Sequence, residues 1–107
     1  MATMEVDEFD FQEVLAQEFS ENKIVILKFM TEYCDACMAL GFELEEIEEK
    51  YDNISILEID CNESEELAQR YGVHEVPTMV IYENEHSTLW HKEGIVLAQD
   101  IEEIIKL

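Results

Sequence analysis

The sequence predicts one α/β domain whose mixed β-sheet is covered by helices on both faces. Helical and strand-like segments alternate through the first part of its 107 residues, two strand-like segments then follow one another directly, and a helical segment comes last. That order is typical of a parallel βαβ unit continued by an antiparallel edge hairpin. No repeat or low-complexity linker interrupts it, so a single domain over residues 1–107 is expected.

The first half of the chain is predicted to alternate helix, strand, helix and strand. Apolar residues at helical spacing between Phe9 and Phe19 predict a short amphipathic helix. The apolar runs 24–30 and 54–60 are rich in β-branched residues and predict buried strands. Residues 35–50 return to helical spacing, with an apolar face made of Cys37, Leu40, Leu44, Ile47 and Tyr51.

The second half is predicted to hold a short helix, a hairpin and a last helix. "NESEELAQRYG" offers a polar N-cap and a stop at Gly72. Segments 77–84 and 87–94 are predicted to form a hairpin that turns at Asn84 and Glu85. The final helix in "LAQDIEEIIKL" has an apolar face of Leu97, Ile101, Ile104 and Ile105.

The charge of the chain restricts its partners. Its 27 acidic and 6 basic residues give a net charge of −21, spread along the sequence. Such a surface repels nucleic acid and anionic lipid, so neither is expected as a partner. This charge is typical of a well-solvated or salt-adapted surface, and it would also favour the binding of basic partners. No signal peptide and no apolar run of about 20 residues is found, so a cytoplasmic protein with reduced thiols is predicted.

The stretch "KFMTEYCDAC" places Cys34 and Cys37 between a predicted strand and a predicted helix. Spacing of i and i+3 puts both sulfurs on one side of the first helical turn. The helix N-terminus stabilises a thiolate at Cys34, whereas Cys37 lies one turn further in and is expected to be buried. We therefore expect Cys34 to attack a disulfide and Cys37 to resolve the mixed disulfide.

A metal site is the competing interpretation of the cysteine pair. Structural zinc usually takes four ligands, often from two such pairs. The remaining candidate ligands are not spaced as a second pair: Cys61, His74, His86 and His91. Dithiol chemistry is favoured and no metal is expected.

The chain resembles the thioredoxin family over nearly its whole length. "FMTEYCDAC" is similar to the family's active-site signature, and "EIDCNESEELAQRYGVHEVPT" is similar to the stretch that leads to its cis-proline. The resemblance implies a thioredoxin fold and a thiol-disulfide oxidoreductase that reduces protein disulfides. It further implies a monomer without a bound cofactor, reduced by a thioredoxin-reductase-type electron donor.

The resemblance also implies roles for residues around the cysteines. Pro77 would be the cis-proline facing the pair, and the backbone of Val76 would bind an extended stretch of substrate. Gly94 matches a late glycine beside the family's active site. Tyr33 takes a tryptophan position, where it either supports the rim of the contact surface or packs at the strand end.

Three departures from the family concern the tuning of the site. Asp35 and Ala36 replace Gly-Pro between the cysteines, and Asp35 opposes a thiolate about as strongly as the helix dipole favours it. Lys28 replaces a buried aspartate, and Ile56 stands at the position of that aspartate's lysine partner. Lys28 either packs its stem and reaches water or Glu58, or acts on Cys37 as a charge or proton acceptor.

The other chemically notable residues are expected to be structural. Cys61 is expected to be an inert thiol, the three histidines to lie on the surface, and Trp90 to belong to the core. The departures at Lys28 and between the cysteines leave a second function class open. In that alternative the chain is a thioredoxin-fold binding or adaptor module with weak redox turnover.

Overall fold

A computed structural model describes residues 3–106 of the chain. Within that range the chain forms five strands and four helices. In chain order these are β1 (Thr3–Glu5), α1 (Phe11–Ser20), β2 (Ile24–Met30), α2 (Asp35–Lys50), β3 (Ile54–Asp60), α3 (Glu65–Arg70), β4 (Thr78–Asn84), β5 (Ser87–Glu93) and α4 (Ala98–Ile105). No helix in this range is long and apolar enough to span a membrane.

The five strands form one mixed sheet in the order β1-β3-β2-β4-β5. Strand β3 pairs in parallel with both β1 and β2, whereas β4 runs antiparallel to β2 and to β5. The predicted combination of a parallel βαβ unit and an antiparallel edge hairpin is confirmed. Strand β2 lies at the centre, and six of its seven residues are buried because neighbours and helices cover it on every side.

Two apolar layers cover the two faces of the sheet, as strand alternation requires. Helices α2 and α4 pack on the face that carries Ile24 and Ile26, and α1 and α3 pack on the face that carries Val25 and Leu27. Lys28 belongs by alternation to the α2 face, where it is the charged member of an otherwise apolar row. The β2 strand therefore delivers one ammonium group beneath α2.

The strand β1 was not predicted. Two of its three residues are partly buried and Glu5 is exposed, and they become a strand because they extend the parallel ladder beside β3. The predicted hairpin turn is wrong by one residue: Asn84 pairs with Ser87, so Glu85 and His86 form the turn. The Asn84 side chain supports that turn by accepting a hydrogen bond from the His86 N–H at 2.9 Å.

The N-cap of α3 differs from the expected polar cap. Ser64 occupies the N-cap position, but its hydroxyl makes no capping hydrogen bond. The hydroxyl is buried and has no partner among the described residues. The Ser64 N–H instead donates to the Asp60 carbonyl at 2.9 Å, so the backbone holds the start of this helix.

Candidate active site

The cysteine pair lies at the start of α2, directly after the central strand. Cys34 is the N-cap residue and has an extended backbone, and α2 begins at Asp35. The Cys37 N–H donates a hydrogen bond to the Cys34 sulfur at 3.0 Å. A disulfide joins the two residues, whose Cα atoms lie 5.2 Å apart. One turn of helix thus brings both sulfurs together, as the spacing predicted.

The two cysteines differ in accessibility. Cys34 is partly exposed, whereas only 3% of Cys37 is accessible because it packs on the buried face of α2. An incoming group therefore reaches the Cys34 sulfur first. Helix α2 also aims its positive end at Cys34, an arrangement that stabilises a thiolate there.

The loop before β4 lies at the same end of the sheet as the cysteines. Strand β4 is antiparallel to β2, and its first residue, Thr78, pairs with Phe29 near the end of β2. The Val76–Pro77 peptide bond is cis. The Thr78 hydroxyl donates to the Glu75 carbonyl at 2.6 Å, which ties the loop to the strand.

Gly94 and Val76 complete this loop region. The Gly94 N–H donates to the Pro77 carbonyl at 2.8 Å. Gly94 has a φ of +96°, a conformation that glycine adopts far more readily than other residues. Neither the N–H nor the C=O of Val76 makes a hydrogen bond within residues 3–106. The Val76 backbone is thus available for an extended segment from another chain.

Tyr33 stands on the rim of the site. Its side chain is fully exposed, and its φ of +57° turns the chain out of β2 toward the cysteines. The alternative in which Tyr33 packs at the strand end is therefore wrong. Asp35 is exposed in the first turn of α2 and Ala36 is partly exposed, so both border the disulfide.

Lys28 forms a buried ion pair. Its Nζ lies 3.1 Å from Glu58 Oε2, and parallel pairing sets Lys28 directly beside Glu58 on β3. Only 6% of Lys28 is accessible, whereas the Glu58 side chain is 23% accessible and connects the pair to solvent. The suggested Glu58 partner is confirmed, while Ile56 pairs with Ile26 and is buried.

Gly41 makes room for this ion pair, a role that sequence reasoning missed. A Cβ added at Gly41 would lie 3.2 Å from the Lys28 Nζ, closer than an ordinary contact. Gly41 lies inside α2, which runs from Asp35 to Lys50. The sequence does contain a signal for this role. A glycine, the smallest residue of α2, lies one turn after Cys37 and packs above a strand whose lysine points inward.

A cavity of about 310 Å³ opens beside the ion pair, between α2 and the β1–β3 side of the sheet. We call it the α2 cavity. Its wall on the helix side is formed by Met38, Gly41 and Phe42, and Lys28 and Ile56 contribute from the sheet. Met38 directly follows Cys37, so the cavity begins next to the disulfide.

The other candidate ligands lie apart from the site's chemistry. Burial and then the nearby Asp60 raise the pKa of the Cys61 thiol, which disfavours the reactive thiolate. The three histidines are exposed, as predicted. Within the described part of the chain, no group of three His, Cys, Asp or Glu side chains is placed to hold a metal ion.

The fold and this site define a class. A cysteine pair at the helix after the central strand, with a cis-proline loop at the same end of the sheet, is the arrangement of a thiol-disulfide exchange domain. The family model described as Thioredoxin matches residues 2–107. The chain belongs to the thioredoxin family, and it has the thioredoxin fold.

Known proteins of this family are similar along most of the chain. Thioredoxin 2 of Plasmodium falciparum is 28% identical over 87 residues, covering 80% of this chain and 55% of that protein. Thioredoxin F2, chloroplastic, of Arabidopsis thaliana is 33% identical over 78 residues, covering 72% and 41%. The crystal structure of thioredoxin f from spinach chloroplast matches with a TM-score of 0.83 and 28% identity, covering 98% and 91%.

These matches set the extent of the similarity. The chain spans about half the length of the two curated relatives, 55% and 41%, and nearly all of the spinach structure. Thioredoxins work through their own active-site dithiol rather than a bound cofactor, and the Cys34–Cys37 pair supplies that group.

Proposed function

We propose that the protein is a thiol-disulfide oxidoreductase that reduces disulfides in other proteins through Cys34 and Cys37. One observation carries the proposal. A partly exposed cysteine at the N-cap of α2 lies within bonding reach of a buried cysteine one turn later. This asymmetry separates an attacking thiol from a resolving one.

The reaction begins from the reduced dithiol. The Cys34 thiolate attacks one sulfur of the substrate disulfide, forming a mixed disulfide and releasing the other substrate sulfur as a thiolate, which takes up a proton. Cys37 then loses its proton and attacks the Cys34 sulfur, which releases the second substrate thiol. Two electrons pass to the substrate, and the Cys34–Cys37 disulfide remains. A dithiol reductant or a reductase must return two electrons and two protons.

Substrate is held by backbone as well as by sulfur. The unpaired N–H and C=O of Val76 support strand-like pairing with an extended substrate segment beside Pro77. Tyr33 on one side and Gly94 on the other border that segment. The glycine leaves open space, because a Cβ added there would meet nothing within 4 Å.

Three residues tune the dithiol in this proposal. Asp35 and Ala36 lie in the first turn between the sulfurs, where the Asp35 carboxylate opposes the helix dipole. Lys28 lies below the turn that follows Cys37. Its ammonium favours the Cys37 thiolate that the resolving step requires.

The partners follow from this chemistry. Disulfide-containing proteins are the substrates, a thioredoxin-reductase-type enzyme is the electron donor, and the chain acts as a monomer. Neither nucleic acid nor membrane takes part, in keeping with the net charge of −21. A cytoplasmic location stays a prediction, which fractionation of the native cells tests.

A turnover assay tests the function. With dithiothreitol as reductant, the protein should reduce a disulfide-bonded protein substrate many times per molecule, and Cys34→Ser should abolish this. Cys61→Ser is the matched control and should keep full turnover, because its thiol is outside the site. Turnover that survives Cys34→Ser, or is lost with Cys61→Ser, would overturn the proposal.

The second candidate is a thioredoxin-fold adaptor. The exposed apolar side chains Tyr33, Met38 and Phe42 around the disulfide favour it, because such a patch is suited to protein contact. In that case the wild-type protein would show little turnover with dithiothreitol. Cys34→Ser would still retain its partner proteins in a pull-down.

A further inference from the structure

The α2 cavity continues the active-site surface along the helix. Met38 and Phe42 are one turn apart on α2, and 60% and 61% of their surfaces are exposed. With Gly41 between them, they form an apolar wall that starts next to Cys37. The volume of about 310 Å³ suits one long side chain rather than a whole domain.

Carboxylates line the far end of the cavity. Glu45 and Glu48 contribute from α2 and Glu58 contributes from β3. Among residues 3–106, Lys28 is the one cationic side chain of the lining, which gives these four side chains a formal charge of −2. Glu58 is engaged by Lys28, and Glu48 accepts a hydrogen bond from the Thr3 hydroxyl. Glu45 is exposed to solvent. The cavity thus combines an apolar entrance with an acidic end.

We propose that the α2 cavity binds a lysine or arginine side chain of the disulfide-bearing substrate. The aliphatic stem of that side chain packs between Met38 and Phe42, and its charged head meets Glu45 and Glu48. The protein therefore selects substrates that carry a basic residue near the reactive cysteine. The proposal rests on the proposed function and adds a substrate class to it.

The distance along α2 from Cys34 to Glu45 determines where in the substrate the basic residue must lie. Glu45 lies about 16 Å from Cys34 along the axis of α2, at 1.5 Å per residue. An extended substrate covers about 3.3 Å per residue, and a lysine side chain adds several ångströms. The basic residue is therefore expected about three to five residues from the substrate cysteine.

A second copy of the chain is the main competing occupant. Each copy carries a charge of −21, so two copies repel one another, whereas a basic substrate is attracted. A chain that sediments as a dimer, and returns to a monomer with Phe42→Glu, would overturn the proposal.

A pair of peptides gives the direct test. Each holds one cysteine as a mixed disulfide with thionitrobenzoate, flanked at three to five residues by lysines in one peptide and by glutamines in the other. Dithiothreitol supplies the electrons, and kcat/KM is measured for both. The wild-type protein should prefer the lysine peptide about three- to tenfold at low salt, and the preference should shrink at high salt.

A matched pair of variants separates local recognition from overall charge. Glu45→Gln/Glu48→Gln changes the cavity, and Glu46→Gln/Glu49→Gln makes the same change with the same spacing on another face of α2. The ratio of kcat/KM for the lysine peptide to kcat/KM for the glutamine peptide should fall close to one in Glu45→Gln/Glu48→Gln. It should keep its wild-type value in Glu46→Gln/Glu49→Gln. An equal fall in both, or no preference in the wild type, would overturn the proposal.

A binding measurement keeps this proposal apart from the proposed function. The oxidised protein is titrated with the same peptides after their cysteine is replaced by serine. Weaker binding of the lysine peptide to the cavity variant than to the control variant supports the cavity, even if turnover is absent. Equal binding to both variants rejects it, even if turnover is rapid.

Discussion

Among single residues, Lys28 bears most on the chemistry of the cysteines. Its Nζ lies under α2 one helical turn after Cys37, held there by Glu58 at 3.1 Å and given room by Gly41. In a partly solvated site, an ammonium about one helical turn away stabilises a thiolate by on the order of 1 kcal/mol. The carboxylate of Glu58 reduces the stabilisation of the thiolate by the Lys28 ammonium but does not cancel it.

Lys28→Met should therefore slow the resolving step. Without the ammonium, the pKa of Cys37 should rise and attack on Cys34 should slow about fivefold at neutral pH. Rapid-mixing kinetics of mixed-disulfide decay, with a pH titration of Cys37, measure both.

Glu58→Gln is the matched control for Lys28→Met. It removes the counter-charge and keeps the ammonium, so the pKa of Cys37 should move downward. Unchanged turnover and an unchanged Cys37 pKa in Lys28→Met would leave Lys28 with a purely structural role.

The Lys28–Glu58 ion pair shows which contacts of a single residue can be predicted from the sequence. The resemblance placed Lys28 at the position of a buried aspartate, and Glu58 was one of the partners considered for it. Gly41 was not linked to the pair, because the contact depends on how α2 settles over β2. The distance between two packed elements cannot be predicted from the residue spacing within either one.

At the level of elements, a polar contact ties α4 to the end of α2. Tyr51 donates a hydrogen bond to Glu102 Oε2 at 2.5 Å, and Lys50 lies 3.1 Å from Glu102 Oε1. The Tyr51 hydrogen bond, followed by the one from Lys50, holds the pKa of Glu102 below its usual value of 4.5. The folded chain therefore binds this proton less tightly than the unfolded chain does.

The contact should stabilise the fold only above acidic pH. Because the pKa of Glu102 is lowered on folding, the stabilisation is present above about pH 4.5 and is lost as the pH falls through the lowered value. Glu102→Gln should reduce the free energy of unfolding at pH 7, with the difference from wild type shrinking on acidification. Denaturant unfolding across a pH series measures it.

Glu103→Gln is the control for this charge change, because Glu103 is exposed on the same helix. It should leave the pH dependence close to that of the wild type. A difference between Glu102→Gln and wild type that grows toward low pH would contradict the assigned contact.

The bounds of helices and strands were predicted correctly where a pattern of buried apolar residues determines the structure. Strands β2 and β3 and helix α2 have the predicted bounds, because 24–30 and 54–60 are apolar runs and 35–50 has one apolar stripe. Strand β1 was missed because three residues show no pattern of their own and pair only with β3. Ser64 has the residue type of a cap, but its hydroxyl is buried without a partner in the described part of the chain.

For the whole molecule, charge is the dominant feature. The net charge of −21 on 107 residues raises the free energy of the compact state through self-repulsion. Added salt screens this repulsion, with a Debye length of about 10 Å at 0.1 M and about 3 Å at 1 M. Within residues 3–106 two lysine–glutamate pairs form, Lys28–Glu58 and Lys50–Glu102, which are too few to reverse that balance.

The melting temperature should therefore rise when NaCl is increased from low ionic strength toward 1 M. Differential scanning calorimetry at pH 7 measures the shift. The same series near the isoelectric point of about 4.1 is the control, since little net charge remains there to be screened. A melting temperature that falls with salt at pH 7 would contradict the charge argument.

The central claim is that Cys34 attacks and Cys37 resolves, and trapping the mixed disulfide tests it most directly. Reduced Cys37→Ser protein is mixed with a disulfide-bonded protein, and the adduct is located by mass spectrometry after digestion without reductant. The expected result is a stable adduct linked through Cys34 and absent from Cys34→Ser. An adduct linked through Cys61, or an equally stable adduct in Cys34→Ser, would contradict the account.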